Sequence, residues 1–175
     1  MNRSLRISRG RASGALLMLL GIWGGLIPFV GHYLGYTYTP DKAWAYTSGR
    51  LWLSIVPGAA AIVGGFFVLV GGRAIAIPGA FLAALGGAWF VLGQYVVALH
   101  WASITPGSPI VAGGAPFNAA TMKFLEGLGF FYGLGVLIVF IAALAMGQAV
   151  SAVKVAAAEE ALPADAFEET APYPA

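Results

Sequence analysis

The feature that most constrains this chain is a pair of long apolar runs separated by a single charge. Residues 51–72 and residues 74–101 contain no charged side chain, and Arg73 is the one charge between them. A helix needs about 20 apolar residues to cross the hydrocarbon core of a bilayer. Each run reaches that length, and Gly71 and Gly72 supply a turn before Arg73. The pattern predicts a helical hairpin that crosses a membrane twice.

A second pair of apolar runs flanks this hairpin. The chain is 59% hydrophobic and 9% charged, whereas soluble domains carry roughly 25% charged residues. We therefore predict an all-α, integral membrane four-helix bundle, with a basic N-terminus before it and an acidic tail after it. The tail is expected to begin as a helical extension over residues 150–162 and to be disordered beyond Pro163. The predicted ranges are 1–11 for the N-terminus, 12–33, 51–72, 76–101 and 125–149 for the spans within domain 12–149, and 150–175 for the tail.

The distribution of basic residues predicts how the chain is threaded. The first span follows a cluster of four arginines, and Arg73 and Lys154 lie on the same predicted side. Cytoplasmic segments are enriched in Lys and Arg, so we expect both ends in the cytoplasm of a bacterial cell, with the spans in its plasma membrane. Lys42, Arg50 and Lys123 fall on the outer side. The alternative for the first run is a signal peptide, but this run is longer than the usual 7–15 residues.

Spans one and three resemble each other. Residues 14–23 can be laid over residues 79–89 with one residue inserted, and each span ends in a histidine followed by an aromatic residue. Repeats in the same orientation are related by an axis along the membrane normal. The pattern indicates two tandem parallel helical hairpins, although glycine and alanine also align by chance in unrelated spans.

Several motifs resemble those of a known group of proteins. They are the runs 20–23 and 27–29, the segment 38–44 and residues 49–52. Together they resemble small, uncharacterised four-span membrane proteins of actinobacteria, over about residues 12–148. The first span is also similar to SPW-repeat membrane proteins, with Ile27-Pro28-Phe29 in place of Ser-Pro-Trp. The resemblance implies a four-span topology and carries no activity with it.

Polar residues cluster in the predicted outer leaflet, where they are costly and therefore informative. They are His32, Ser54, Gln94, His100 and Glu126. Pro28 and Pro57 are expected to kink their spans at the same depth. We predict a shallow polar cavity that opens to the outside under the loop 103–121.

These residues leave alternative roles open. His32 and His100 are candidate ligands of a haem or metal ion, or else residues of the interfacial aromatic belt. Glu126 is a candidate proton carrier with His100 or Gln94, or else an ion-pair partner of a nearby base. Arg50 and Lys123 are candidates for an anion site or for contacts with lipid phosphates.

Small residues spaced four apart predict close helix packing. The candidate packing positions are Gly21, Gly25, Gly65, Gly87, Gly129 and Gly133. The sequence has no cysteine, which excludes thiolate metal sites and thiol catalysis. It contains no nucleotide-binding or hydrolase motif, and its net charge of +2 does not predict nucleic-acid binding. No resident cofactor is expected.

The leading functional hypothesis is a non-catalytic accessory or scaffold subunit of a larger membrane assembly. Its expected partners are membrane lipid and either another protein or a second copy of the chain. The alternatives are a small oligomeric transporter or channel, a haem- or metal-binding redox protein, and an enzyme acting on lipid. A transporter needs a polar path through the inner leaflet, and the inner halves of the spans are almost wholly apolar.

Overall fold

The computed structural model describes residues 3–34, 37–38, 42–100, 109–110 and 118–160, and these are mainly helical. The helices are α1 Arg3–Val30, α2 Ser48–Arg50, α3 Val56–Val70, α4 Arg73–His100, α5 Ala119–Phe130 and α6 Tyr132–Glu160. A 3-10 turn, Gly31–Leu34, follows α1, and a π-turn, Leu51–Ile55, joins α2 to α3. Within the described residues, the strand content is one antiparallel ladder of two residues a side, β1 Thr37–Tyr38 with β2 Pro109–Ile110.

Four helical segments are long and apolar enough to cross a membrane. We call them spans one to four: Gly10–Tyr33, Ser48–Val70, Arg73–Val97 and Phe124–Ala158. The chain is therefore an all-α, multi-pass membrane protein, as the hydropathy pattern predicted. Span four continues well past residue 149, because the helix runs on through the alanine-rich segment that follows the apolar run.

Successive spans are antiparallel neighbours in the bundle. Span two packs along spans one and three, span three packs along span four, and a smaller contact between spans one and four closes the ring. The described residues of the two connections, which follow spans one and three, therefore lie at one end, which we call the loop end. Arg11, Arg73 and Lys154 lie at the opposite end, which we call the basic end.

Glycines set the closest approaches between the spans. A Cβ atom added to Gly21 would lie 2.7 Å from the Gly58 carbonyl oxygen, and one added to Gly58 would lie 2.8 Å from that of Gly21. Gly87 and Gly135 meet in the same way between spans three and four. Because both partners are backbone atoms, neither contact can accommodate a side chain without separating the helices.

The six predicted packing glycines fall into two groups. Gly21, Gly65 and Gly87 meet the backbone of a neighbouring span. A Cβ at Gly25 would meet nothing within 4 Å, but the Gly25 backbone itself lies 3.1 Å from the Cβ position of Gly58 in span two. A correction applies to the other two: a Cβ at Gly129 would meet nothing within 4 Å, and one at Gly133 would meet Leu128 of its own span. Both lie beside the break between α5 and α6, and neither Cβ position is placed against the backbone of a neighbouring span.

The π-turn in span two leaves one backbone carbonyl without a donor in its own helix, and a side chain of span three supplies that donor. The Val56 N–H bonds to the Leu51 carbonyl, five residues back. The Trp52 carbonyl therefore loses its α-helical donor, and its π-helical donor would be residue 57, a proline without an N–H. The Trp89 indole Nε1–H of span three donates to this carbonyl at 2.8 Å.

Span four is interrupted at the same end of the bundle. Phe131 has a non-helical backbone, with φ −131° and ψ −70°, and it separates α5 from α6. The last carbonyls of a helix have no intrahelical donor. Here the Trp23 indole of span one donates to the Gly129 carbonyl at 3.2 Å. Each irregular span is thus bonded by a tryptophan of a neighbouring span.

Candidate functional site

Arg50 is a buried cation at the loop end of span two. Its side chain is 3% exposed, and its Nη1 donates to the Ala45 carbonyl at 2.8 Å and to the Lys42 carbonyl at 3.4 Å. The Thr47 hydroxyl caps the start of α2 by accepting the Arg50 N–H. The guanidinium contacts the connection between spans one and two, a structural role that the sequence did not predict.

An aromatic pair completes the surroundings of this arginine. The Arg50 guanidinium carbon lies 5.5 Å from the centre of the Phe29 ring, a distance at which the ring attracts a cation. The Trp44 ring lies 6.3 Å from the same ring, and the Trp44 N–H donates to the Phe29 carbonyl at 3.4 Å. Trp44 has a φ of 57°, a left-handed conformation that is rare for aromatic residues. These contacts fix the loop 42–47 onto the end of span one.

Two further polar residues of the predicted outer layer lie inside the bundle. Ser54 is 1% exposed and Glu126 is 0% exposed. Glu126 lies in α5, one turn before the break at Phe131. A fully buried carboxylate is costly unless other groups compensate its charge, and an ionisable residue inside a membrane is a functional candidate by default. Among the predicted site residues, Glu126 is therefore the strongest candidate for a chemical role.

The remaining predicted site residues are placed differently. His32 is exposed in the 3-10 turn, where its ring packs edge-on against Tyr33 with the centroids 6.0 Å apart. Gln94 is half-buried in α4. His100 and Lys123 lie in helical backbone, but their side chains fall outside the described part of the chain. His32 is thus exposed, whereas Ser54 and Glu126 are each buried.

The predicted cavity has no described roof, because most of the loop 103–121 lies outside the described residues. A small cavity of about 30 Å³ is present at the seam between spans one and four, lined by Trp23, Ile27, Gly129 and Phe130. That volume suits about one or two water molecules. Among the residues whose side chains are described, no cluster of three or more His, Asp or Glu could hold a metal ion.

Sequence reasoning overlooked the tryptophans that bond the spans at the loop end. Trp23 and Trp89 were recognised as matching positions of a repeat, without a role for either indole. Pro57 carried a usable signal, because a proline inside an apolar helix leaves a carbonyl that another group must satisfy. Trp89 supplies that group.

Comparison with known proteins adds no relative to this description. No family model, no curated protein and no solved structure matches the chain.

Proposed function

We propose that this protein is a non-catalytic membrane protein that serves as an accessory or scaffold subunit of a larger assembly. The observation that carries the proposal is the use of its polar side chains. Arg50, Trp23 and Trp89 all donate to backbone carbonyls at helix irregularities or loops. Groups engaged in this way hold the bundle together and are poorly placed to act on a substrate.

The outer faces of the spans supply the surface that such a role requires. Each span carries large apolar side chains on its outside, among them Leu19, Val63, Phe81 and Phe140. These faces suit lipid, a partner helix or a second copy of the chain. We further propose that the chain lies in a bacterial plasma membrane, in line with its resemblance to small actinobacterial proteins, with the basic end in the cytoplasm.

Site-specific photocrosslinking tests the scaffold role. A photoreactive residue is placed at Leu19, Val63, Phe81 or Phe140, one exposed position per span, in the full-length protein in its native membrane. We expect a protein adduct from at least one of these positions. The matched control is Ala142, which is fully buried and should give intramolecular products. Lipid adducts alone from all four exposed positions would contradict the proposal.

The threading can be tested separately, because the sequence contains no cysteine. Lys42 and Lys154 are both exposed and lie at opposite ends of the bundle. An impermeant maleimide should label Lys42→Cys in intact cells and Lys154→Cys only after the cells are opened. The reverse result would invert the proposed orientation.

A small transporter or channel is the second candidate, favoured by the complete burial of Glu126. Buried carboxylates form part of proton and ion pathways in such proteins. Ion flux into reconstituted vesicles that is lost in Glu126→Gln, while the variant keeps its thermal stability, would favour this candidate over the scaffold role.

A further inference from the structure

The basic end of the bundle carries cations at a single depth. Gly14 of span one packs against Leu69 of span two, and Arg11 lies three residues further along α1, about 4.5 Å at 1.5 Å per residue. This places Arg11 level with the turn at residues 71–72. Arg73 begins span three directly after that turn, and its Nη1 lies 3.5 Å from the Ala152 carbonyl of span four. Lys154 follows two residues later.

Three different helices therefore contribute a basic side chain to one layer. Arg11, Arg73 and Lys154 are all exposed. Helix α1 also continues without a break to Arg3, so that three more arginines lie within about 12 Å beyond Arg11. Those three are Arg3, Arg6 and Arg9.

Acidic residues are absent from this layer in the described part of the chain. The described acids are Glu126, near the loop end, and Glu159 and Glu160 at the end of α6. The last two lie five and six residues beyond Lys154, about 8 Å further along the helix. Among the side chains that the structure describes, the charges of this layer are therefore all positive.

The depth of this layer identifies its partner. The uncharged runs of spans two and three end at Gly72 and resume at Ala74, so a bilayer that covers these runs has the edge of its hydrocarbon core at this layer. The headgroup zone extends about 5–7 Å beyond that edge on each side of a bilayer. The charges at this depth are lipid phosphates, and clustered Lys and Arg beside a membrane span bind anionic headgroups.

We propose that Arg11, Arg73 and Lys154 form a binding surface for the phosphate headgroups of anionic phospholipids. Zwitterionic lipids carry a compensating ammonium and bind this surface less tightly. The inference is independent of the proposed scaffold role, because it concerns the lipid that surrounds the bundle and would hold equally for a transporter.

Native mass spectrometry of the full-length protein tests the proposal. The protein in mild detergent is given equal amounts of phosphatidylglycerol and phosphatidylcholine with the same acyl chains, and the ratio of retained lipids is measured. We expect phosphatidylglycerol to be preferred. In the triple variant Arg11→Gln, Arg73→Gln, Lys154→Gln this preference should fall at least tenfold, since each basic residue near the surface contributes about fivefold to binding.

Two matched variants separate lipid binding from other effects. Lys42→Gln removes one exposed charge at the loop end and should leave the preference unchanged. Arg11→Lys, Arg73→Lys and Lys154→Arg together keep all three charges and should keep the preference. An equal preference in the wild type and the triple glutamine variant would overturn the proposal, as would an equal loss in either matched variant.

Two further outcomes distinguish other sources of negative charge. Inorganic phosphate, at the same ionic strength as a chloride control, should not displace phosphatidylglycerol selectively. Selective displacement would assign the surface to a soluble anion and overturn the lipid proposal. Retention of an acidic protein through these residues, without any lipid preference, would overturn it in favour of a protein partner.

Discussion

Spans one and two form one antiparallel hairpin, spans three and four form another, and the two can be compared residue by residue. The Gly21–Gly58 contact of the first hairpin corresponds to the Gly87–Gly135 contact of the second. The Trp23 indole lies two residues after Gly21, and the Trp89 indole lies two residues after Gly87. The Trp23 indole donates to the Gly129 carbonyl, six residues before Gly135. The Trp89 indole donates to the Trp52 carbonyl, six residues before Gly58.

The buried positions follow the same correspondence. The interior residues of span one recur 66 positions later in span three, and those of span two recur 77 positions later in span four. In spans one and three the pairs are Gly14 with Ala80, Leu17 with Ala83, Gly21 with Gly87, Gly24 with Phe90, Ile27 with Gly93 and Gly31 with Val97. In spans two and four they are Leu53 with Phe130, Ser54 with Phe131, Pro57 with Leu134, Gly58 with Gly135, Ala61 with Ile138, Gly65 with Ala142 and Val68 with Ala145.

The hairpins differ in how they meet each other. Spans two and three are brought close by Gly64, Gly79 and Gly86, whose Cβ positions face the opposite backbone. The corresponding positions at the seam between spans four and one hold Ile141, Ser13 and Leu20. Larger side chains keep that seam wider, which explains its smaller contact. The comparison shows that the packing within each hairpin is repeated, whereas the two contacts between hairpins are not equivalent.

The largest expected effect comes from placing an isoleucine, the residue at position 141 in the seam between spans four and one, at Gly64 in the seam between spans two and three. Gly64→Ile introduces the side chain found at position 141 into the tight seam, where the Cβ alone would meet the Gly79 carbonyl and lie 2.6 Å from the Ala83 nitrogen. We expect a loss of about 3 kcal/mol or more in the free energy of unfolding, at or above the upper end of ordinary overpacking. The measurement is thermal or denaturant unfolding in detergent. Val63→Ile, a neighbouring exposed position, is the control, and equal stability of the two variants would refute the seam comparison.

A smaller and symmetrical effect is expected within the hairpins. Gly21→Ala and Gly87→Ala each place a Cβ against a glycine carbonyl, at 2.7 and 2.8 Å respectively. Each should cost about 1–3 kcal/mol, and the two losses should be alike if the hairpins are equivalent. Gly147→Ala should cost nothing and should stabilise α6 by up to about 1 kcal/mol, because nothing lies within 4 Å of that position and alanine is the better helix former. A loss confined to one of the two hairpins would break the correspondence.

The indole bonds are expected to contribute less. Trp89→Phe and Trp23→Phe keep most of the apolar ring and remove the N–H, so each should cost about 0.5–1.5 kcal/mol. The loss should be greater for Trp89, since its bond is 2.8 Å long and that of Trp23 is 3.2 Å. Unfolding in detergent measures both losses. A larger loss in Trp23→Phe would show that bond length does not predict which of the two indole hydrogen bonds contributes more to stability.

The smallest effect is expected at a contact that the first hairpin lacks. The Tyr95 and Tyr132 hydroxyls lie 3.3 Å apart on exposed side chains, and the corresponding residues of the first hairpin are Phe29 and Ile55. Tyr95→Phe should change stability by no more than about 0.5 kcal/mol, as is usual for exposed positions. A loss comparable to that of Trp89→Phe would mean that the hydroxyl pair is a structural contact.

The number of spans was predictable because the membrane imposes it. A run of about 20 apolar residues with few charges permits few structures other than a membrane-spanning helix. Arg73 and the two glycines before it marked the turn between spans two and three, and the described helices end and begin there. Hydropathy alone therefore predicted the all-α bundle.

The faces of the helices were not predictable in the same way. Lipid and protein interiors are similarly apolar, so hydropathy does not tell which side of a span faces its neighbour. Gly129 and Gly133 have the same spacing as packing glycines, yet neither Cβ position is placed against the backbone of a neighbouring span. The alignment that inserted one residue matched Gly14 to Gly79, whereas the structural correspondence matches it to Ala80 without an insertion. Glycine and alanine both fit such a position, so residue identity was a poor guide to how spans one and three align.

The candidate site was predicted only in part. Ser54 and Glu126 were identified as polar residues within the spans, and the structure buries both. The burial of Arg50 against Phe29 depends on the left-handed turn at Trp44, and a sequence pattern gives little sign of such a conformation in an aromatic residue. Whether these residues act chemically stays a hypothesis for the flux measurement.

The bond between Trp89 and the Trp52 carbonyl also bears on the order in which the chain assembles. The donor follows the acceptor by 37 residues, so at about 5–20 residues per second it is synthesised roughly 2–7 seconds later. Until then, the carbonyl exposed by Pro57 has no partner from span three, and water at the membrane surface must serve instead. The bond from span three to this carbonyl can therefore form only after Trp89 has been synthesised. The Trp23–Gly129 bond, across 106 residues, can form only after the start of span four has been synthesised.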